Sequence, residues 1–123
     1  MIYVFVYGTL LEGESNHHIA APYVRSIQEG AIRGRLFDTG PYPALSIEKQ
    51  DRIVEGQWLE VTEEGLQAMD ELEDYKGPGE DNEYERVWIQ DISGDREGWV
   101  YSWEDVSGLR EILSGSWRKY QMK

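Results

Sequence analysis

Apolar residues in this chain recur at two spacings, and the switch between them marks out its elements. Thr62 to Tyr75, TEEGLQAMDELEDY, has the helical spacing. At about 100° per residue, Leu66, Met69 and Leu72 fall on one apolar arc. Thr62 is placed to cap the N-terminus, and Glu63 and Glu64 suit the positive end of the helix dipole. Glu73 follows Leu66 by seven residues, so it points within roughly 20° of it, inside the apolar arc. Asp70, Glu71 and Asp74 turn to the polar side or its edge. A carboxylate aimed at a core is costly unless it is paired, neutralised or set against a cavity.

Strand-type spacing appears elsewhere. Ile2 to Val6 is almost wholly β-branched or aromatic and reads as a buried central strand ended by Gly8. TLLEGES is a loop, and Ser15 is placed to cap a short helix, NHHIAA, that stops before Pro22. Ala31 to Phe37 reads as a strand carrying Gly34. TGPYPAL is a turn cluster that leads into a short strand at Ala44 to Ile47. Arg52 to Val61 is the longest strand expected, with Gly56 as a bulge or a close backbone approach. After the helix comes KGPGEDN, an acidic loop punctuated by Gly and Pro. Tyr84 to Ile92 and Trp99 to Trp103 form a hairpin across SGDREG. Gly108 to Leu113 reads as one or two helical turns, and the basic tail SGSWRKYQMK has Trp117 as its anchor. The expected fold is a mixed α/β (α+β) chain: a small curled mixed sheet or β-barrel with a few helices packed outside it.

Composition narrows what such a fold does. At 123 residues, with no repeat or linker, a single domain over 1–123 is expected. Five tryptophans and eight tyrosines make aromatic core and pocket walls the expectation. Twenty-four acidic against twelve basic residues leave a net charge of −12, a field that repels nucleic acid and anionic membranes. The chain has no cysteine, which excludes disulfides, thiol catalysis and thiolate-bound metal and fits a cytoplasmic protein. MIYVFVYG lacks a basic leader and is too short for a secretory or membrane segment.

Two stretches carry candidate chemistry. The strand-end turn at Tyr7, Gly8, Thr9 and Leu10 is of the kind that presents consecutive backbone N–H groups to an anion, although Gly8 alone is also an ordinary strand terminator. Glu73 reads either as half of a buried ion pair, with Arg86 or Arg35 as partner, or as a catalytic carboxylate. Tyr84 and Arg86 share one sheet face, through core packing or a contact with Glu73. His17 and His18 are adjacent and share no helix face, so no metal site is expected. EDNEYE reads as a solvated face without calcium-loop spacing. No phosphate-binding glycine motif and no G-x-S-x-G elbow occurs.

In order, VYGTLLEGESN, GPYPAL, VEGQWLEV, MDELEDY and YERV resemble the gamma-glutamylcyclotransferase-like family, of the gamma-glutamylamine cyclotransferase type, across nearly the whole chain; the tail SGSWRKY is also similar to bacterial-type members. The resemblance implies a small-barrel fold with one pocket and Glu73 as general acid/base. It further implies that Tyr7, Gly8, Thr9 and Leu10 bind substrate largely through backbone groups; Tyr84 and Tyr42 are expected as pocket walls. The implied reaction is closure of a γ-glutamyl amide on its own α-amine, giving 5-oxoproline and a free amine or amino acid, with no cofactor and no metal. The leaving group is open, as is the choice between monomer and homodimer. A non-catalytic domain of the same fold that binds an amino-acid-like ligand is the alternative. Two departures stand out: Asp74 where the family frequently has Gly, and the KGPGEDN insertion before Tyr84.

Overall fold

Strand β1 (Ile2–Val6) lies at the centre of a five-stranded sheet ordered β2-β5-β1-β7-β6, where β2 is Val24–Arg33, β5 Ile53–Val61, β6 Glu85–Gln90 and β7 Glu97–Ser102. The computed structural model describes residues 1–122. β1 pairs antiparallel with β5 and parallel with β7, which makes the sheet mixed. Three further strands, β3 (Arg35–Asp38), β4 (Pro43–Ser46) and β8 (Arg110–Glu111), form a second sheet in the order β4-β3-β8. Hydrogen bonds from Trp103 N–H to the Leu45 carbonyl (2.8 Å) and from Gly34 N–H to the Arg52 carbonyl (3.0 Å) join the two sheets edge to edge and curl the assembly.

The alternation along β1 explains why it is buried on both faces. Phe5 and Tyr7 pack with Trp58, Ile32, Leu36, Leu45 and Val100 between the two sheets. Val4 and Val6 face the other way and pack with Leu59, Val61, Met69, Tyr84 and Tyr101 under the helices. Gly56 is the close approach expected of it, since a Cβ there would collide with the Val6 carbonyl oxygen.

Helix α1 (His17–Ala20) and a 3-10 turn (Ala21–Tyr23) lead into β2. Asn16, not Ser15, holds the N-cap position of α1, and no side chain caps it. Helix α2 spans Glu63–Leu72, with Thr62 Oγ1 accepting from Gly65 N–H at 3.2 Å. Fully burying Met69 on its apolar face contributes about 1.5–3 kcal/mol. Helix α3 (Trp117–Gln121) gives the tail a structure that its sequence did not announce; Trp117 anchors it as expected and stacks on Tyr120. Lys123, the last residue of that tail, lies outside the described residues.

Three further expectations are corrected. The strand read as Ala31 to Phe37 is two strands, broken at Gly34, and the first begins seven residues earlier. Gly108 to Leu113 is not helical: Arg110 and Glu111 pair with Asp38 and Phe37. The helix ends at Leu72 rather than near Tyr75. Among the described residues no helix is long and apolar enough to cross a membrane.

Candidate active site

The end of α2 is closed by two backbone bonds, from Asp74 N–H to the Glu71 carbonyl (3.3 Å) and from Tyr75 N–H to the Asp70 carbonyl (2.9 Å). This is the Schellman arrangement, and it requires a left-handed residue just past the cap. Asp74 supplies it with φ 54°, the one non-glycine residue in that region among those described. Glu73 is therefore the C-cap residue, fixed in direction by the chain reversal that follows it. That reversal is zipped to the next segment, with Glu83 N–H donating to the Asp74 carbonyl (3.2 Å) and Tyr84 N–H to the Glu73 carbonyl (3.3 Å).

Glu73 lines a cavity of about 190 Å³ together with Tyr7, Gly8, Thr9, Leu10, Tyr42 and Tyr84, so all seven residues singled out from the sequence meet there. The structure excludes the ion-pair reading of Glu73. Arg86 is bound to Asp70 at 2.5 Å and Arg35 to Asp51 at 2.6 Å. No hydrogen-bond donor reaches the Glu73 carboxyl among the described residues. Burial first, and the neighbouring Glu83 carboxylate second, raise its pKa from 4.5 to about 8. At pH 7 about a tenth of such groups are ionised, whereas an ordinary solvated Glu is almost wholly so.

The turn opposite Glu73 is built by its neighbours. Leu11 N–H donates to the Gly8 carbonyl (3.1 Å), Asn16 Nδ2 to Thr9 Oγ1 (3.0 Å) and Asn16 N–H to the Thr9 carbonyl (2.9 Å). His17 Nδ1 lies 2.8 Å from the Leu10 carbonyl, which serves the turn rather than a metal. The carbonyls are thus occupied, while the N–H groups of Gly8, Thr9 and Leu10 have no acceptor among the described residues. Gly8 is more than a strand terminator: a Cβ there would lie 2.6 Å from Pro43 Cγ, so its hydrogen lets the GPYPAL turn close over the cavity.

Tyrosine phenols complete the wall. Tyr7 O–H donates to the Tyr101 carbonyl (2.5 Å) and Tyr84 O–H to the Pro43 carbonyl (3.0 Å). Tyr42 O–H donates to Glu83 Oε1 at 2.6 Å, a bond that with burial pushes its pKa up to about 12. Burial also raises Tyr7, Tyr84 and Tyr101, so all four are neutral donors at any working pH. Tyr42 and Tyr84 meet Trp103 edge-on at 6.2 and 5.6 Å, which stiffens this side.

Tyr101, Glu83 and Asn16 also line the cavity and were not singled out from the sequence. Strand alternation puts Tyr101 on one face with Trp99 and Trp103, a signal that was available. Glu83 sat in EDNEYE, where nothing separates a cavity carboxylate from a solvated one. Among the described residues no group of three or more His, Cys, Asp or Glu side chains is placed to hold a metal ion.

A family model described as gamma-glutamyl cyclotransferase, AIG2-like, matches residues 4–119. Gamma-L-glutamyl-butirosin B gamma-glutamyl cyclotransferase of Niallia circulans is 40% identical over 124 aligned positions, covering 98% of this chain and 78% of that protein. The crystal structure of a mouse AIG2-like protein matches with a TM-score of 0.71 at 26% identity, over 88% of this chain and 80% of that one. An uncharacterized protein of Pyrococcus horikoshii shares the fold with a TM-score of 0.73 at 20% identity, over 99% and 94% of the two chains.

Proposed function

Because the chain belongs to the gamma-glutamyl cyclotransferase, AIG2-like family and is an enzyme of that type, we propose that it closes a γ-glutamyl amide into 5-oxoproline, with Glu73 as the proton carrier. The observation that carries this reading is the Glu73 carboxyl itself. It is desolvated, and among the described residues it is free of any cation and shares a small cavity with three unengaged backbone N–H groups.

The substrate brings its own nucleophile. Its α-nitrogen attacks the γ-carbonyl carbon, a C–N bond forms to close the ring, and the bond to the leaving nitrogen breaks. The α-nitrogen begins as an ammonium and ends as a lactam N–H, losing two protons. The leaving nitrogen begins as an amide N–H and ends as an ammonium, gaining two. Glu73 carries them across one at a time and is unchanged at the end. A carboxylate near its ordinary pKa of ~4.3 is a poor base towards an ammonium; raising it to about 8 narrows that gap by several kcal/mol.

The N–H groups of Gly8, Thr9 and Leu10 take the substrate carboxylate or the oxygen that gains charge in the tetrahedral intermediate. Walls of Tyr7, Tyr42, Tyr84 and Leu72 hold the γ-glutamyl chain in its ring-closing conformation. Such positioning is worth up to roughly 7–11 kcal/mol in favourable cases, an upper bound where nucleophile and electrophile already share one molecule. On this reading the enzyme acts in the cytoplasm, a reducing compartment with which a cysteine-free chain is compatible.

Glu73→Gln keeps the size of the side chain and removes the base. Offered a panel of γ-glutamyl amines and γ-glutamyl peptides, the wild type is expected to release 5-oxoproline detectable by mass spectrometry. The variant should lose about 10²–10⁴-fold in turnover while keeping its ligand-induced thermal shift. Equal turnover in the variant would remove Glu73 from the reaction, and a thermal shift without product in the wild type would leave a carrier domain.

A further inference from the structure

The cavity has an inside and a mouth, and the two are electrostatically different. Its interior, at about 190 Å³, is below the roughly 300–1,000 Å³ of sites that enclose a drug-sized ligand, so it suits one γ-glutamyl group. Whatever is attached to the γ-nitrogen must leave through the opening. Among the described residues no Lys, Arg or His lines the cavity; its acidic members are Glu73 within and Glu83, which is exposed.

Glu83 is held in place. Its N–H is bonded to the Asp74 carbonyl, its neighbour Tyr84 to the Glu73 carbonyl, and Tyr42 O–H donates to its Oε1 at 2.6 Å. It is also left without a counter-charge among the described residues. The basic side chains closest to it in sequence are committed elsewhere, Lys76 beside Asp74 (3.7 Å) and Arg86 on Asp70 (2.5 Å). Glu80, Asp81 and Glu85 flank it in sequence, and the net charge of −12 draws cations towards the whole surface.

Building on the cyclotransferase reading, we propose that the leaving group is a cationic amine, one that carries an ammonium beyond the scissile amide nitrogen, and that Glu83 selects it at the cavity mouth. A fixed carboxylate with one oxygen oriented by a phenol and no cation among the described residues to satisfy it is the complement of such an ammonium. A leaving group bearing a carboxylate would meet repulsion at the same place.

The test uses two γ-glutamyl amides of matched length, the 5-aminopentyl amide and the hexyl amide, which differ by an ammonium in place of a terminal methyl group. Wild type is expected to favour the aminopentyl amide in kcat/KM by about tenfold at low ionic strength, the scale of one hydrogen bond to a charged group. That ratio should shrink on raising the salt. In Glu83→Gln, an exposed change that still offers Tyr42 an acceptor, the ratio should fall to about one. Any change that Glu83→Gln makes to the pKa of Glu73 acts on both substrates and cancels in the ratio. A ratio near one in the wild type overturns the proposal. So does a ratio unchanged in the variant, because Glu83 would then serve the α-ammonium that both substrates share. If neither amide gives 5-oxoproline, the reaction assignment fails by itself. Calorimetric binding of the same two amides to wild type and Glu83→Gln then decides the cation selectivity, with equal affinities overturning it.

Discussion

Arg86 Nη1 sits 2.5 Å from Asp70 Oδ2, with its guanidinium between the rings of Tyr75 and Trp99 at 4.9 and 4.6 Å. The other Asp70 oxygen accepts from Tyr101 O–H at 2.6 Å, and the Asp70 carbonyl accepts the bond that terminates α2. Asp70 thus ties the end of α2 to β6 and β7 one helical turn before Glu73. Removing one partner of a half-buried pair strands the other charge, which costs more than the pair itself supplies. Arg86→Met should lower stability by about 1–3 kcal/mol in urea denaturation. The double variant Asp70→Asn/Arg86→Met should recover part of that loss, a positive coupling that a double-mutant cycle reads directly.

Proton binding by Glu73 sets a pH dependence with a definite sign. Folding raises its pKa from 4.5 to about 8, so between those values the folded state holds a proton that the unfolded state has released. Its contribution to stability is complete below about pH 4.5, declines as pH rises and is gone above about pH 8. Groups such as Asp51 and Asp91, whose pKa values are lowered to about 2, add slopes of the opposite sense at acid pH. The difference between Glu73→Gln and wild type isolates Glu73. That difference should grow in favour of the variant by on the order of 2 kcal/mol between pH 5 and pH 9, allowing for water admitted by the cavity. Thermal melts across that range measure it. The kcat/KM of the wild type should rise with pH, reach half its maximum near pH 8 and level off above that, as the base form fills.

Gly8 separates a packing role from a chemical one. A methyl group there must displace Pro43, whose ring is part of the cavity wall. Gly8→Ala is expected to cost about 1–3 kcal/mol of stability by overpacking. Its activity on any γ-glutamyl amide should fall further than stability alone accounts for, since the same shift moves the wall against the N–H groups of the turn. Comparing kcat/KM with the melting temperature at a temperature well below the transition distinguishes the two effects.

These expectations rest on features that differ in how visibly the sequence carries them. The apolar arc of α2 and the placement of Glu73 on it were legible, because helical periodicity is a local property and the arc is buried as it predicts. β1 and the Tyr7–Leu10 turn were legible for the same reason. β2 was not: it pairs with β5 alone and leaves residues of both faces partly exposed, so no alternation signals it. β8 is two residues long and exists because β3 offers an unpaired edge, a fact of tertiary structure. Within DELED, periodicity placed Glu73 inwards and set Asp70 aside, yet could not assign Arg86 between them. That choice was made by the sheet, where Arg86 stacks on Trp99 of the neighbouring strand at the level of Asp70. Glu83 reached the cavity through the backbone bonds from Glu83 to Asp74 and from Tyr84 to Glu73, which join segments across the KGPGEDN loop, and no local pattern encodes them.

Asp74 offers the sharpest conformational test, because it is the one left-handed non-glycine residue among those described. Asp tolerates that region better than most residues but less well than Gly. Its carboxylate gains little in return, since Lys76 is 3.7 Å away and both groups are exposed. Asp74→Gly should therefore raise stability, by about 0.5–1 kcal/mol, with the helix-closing bonds intact. Asp74→Ala should lower it by a similar amount, because alanine adds no polar side chain to ease the left-handed backbone. Melting temperatures of the two variants should bracket the wild type, and their activities at a common temperature should stay close to it. A pair of variants that shift stability in the same direction would mean that the charge, rather than the backbone angle, governs this position and with it the direction in which Glu73 is held.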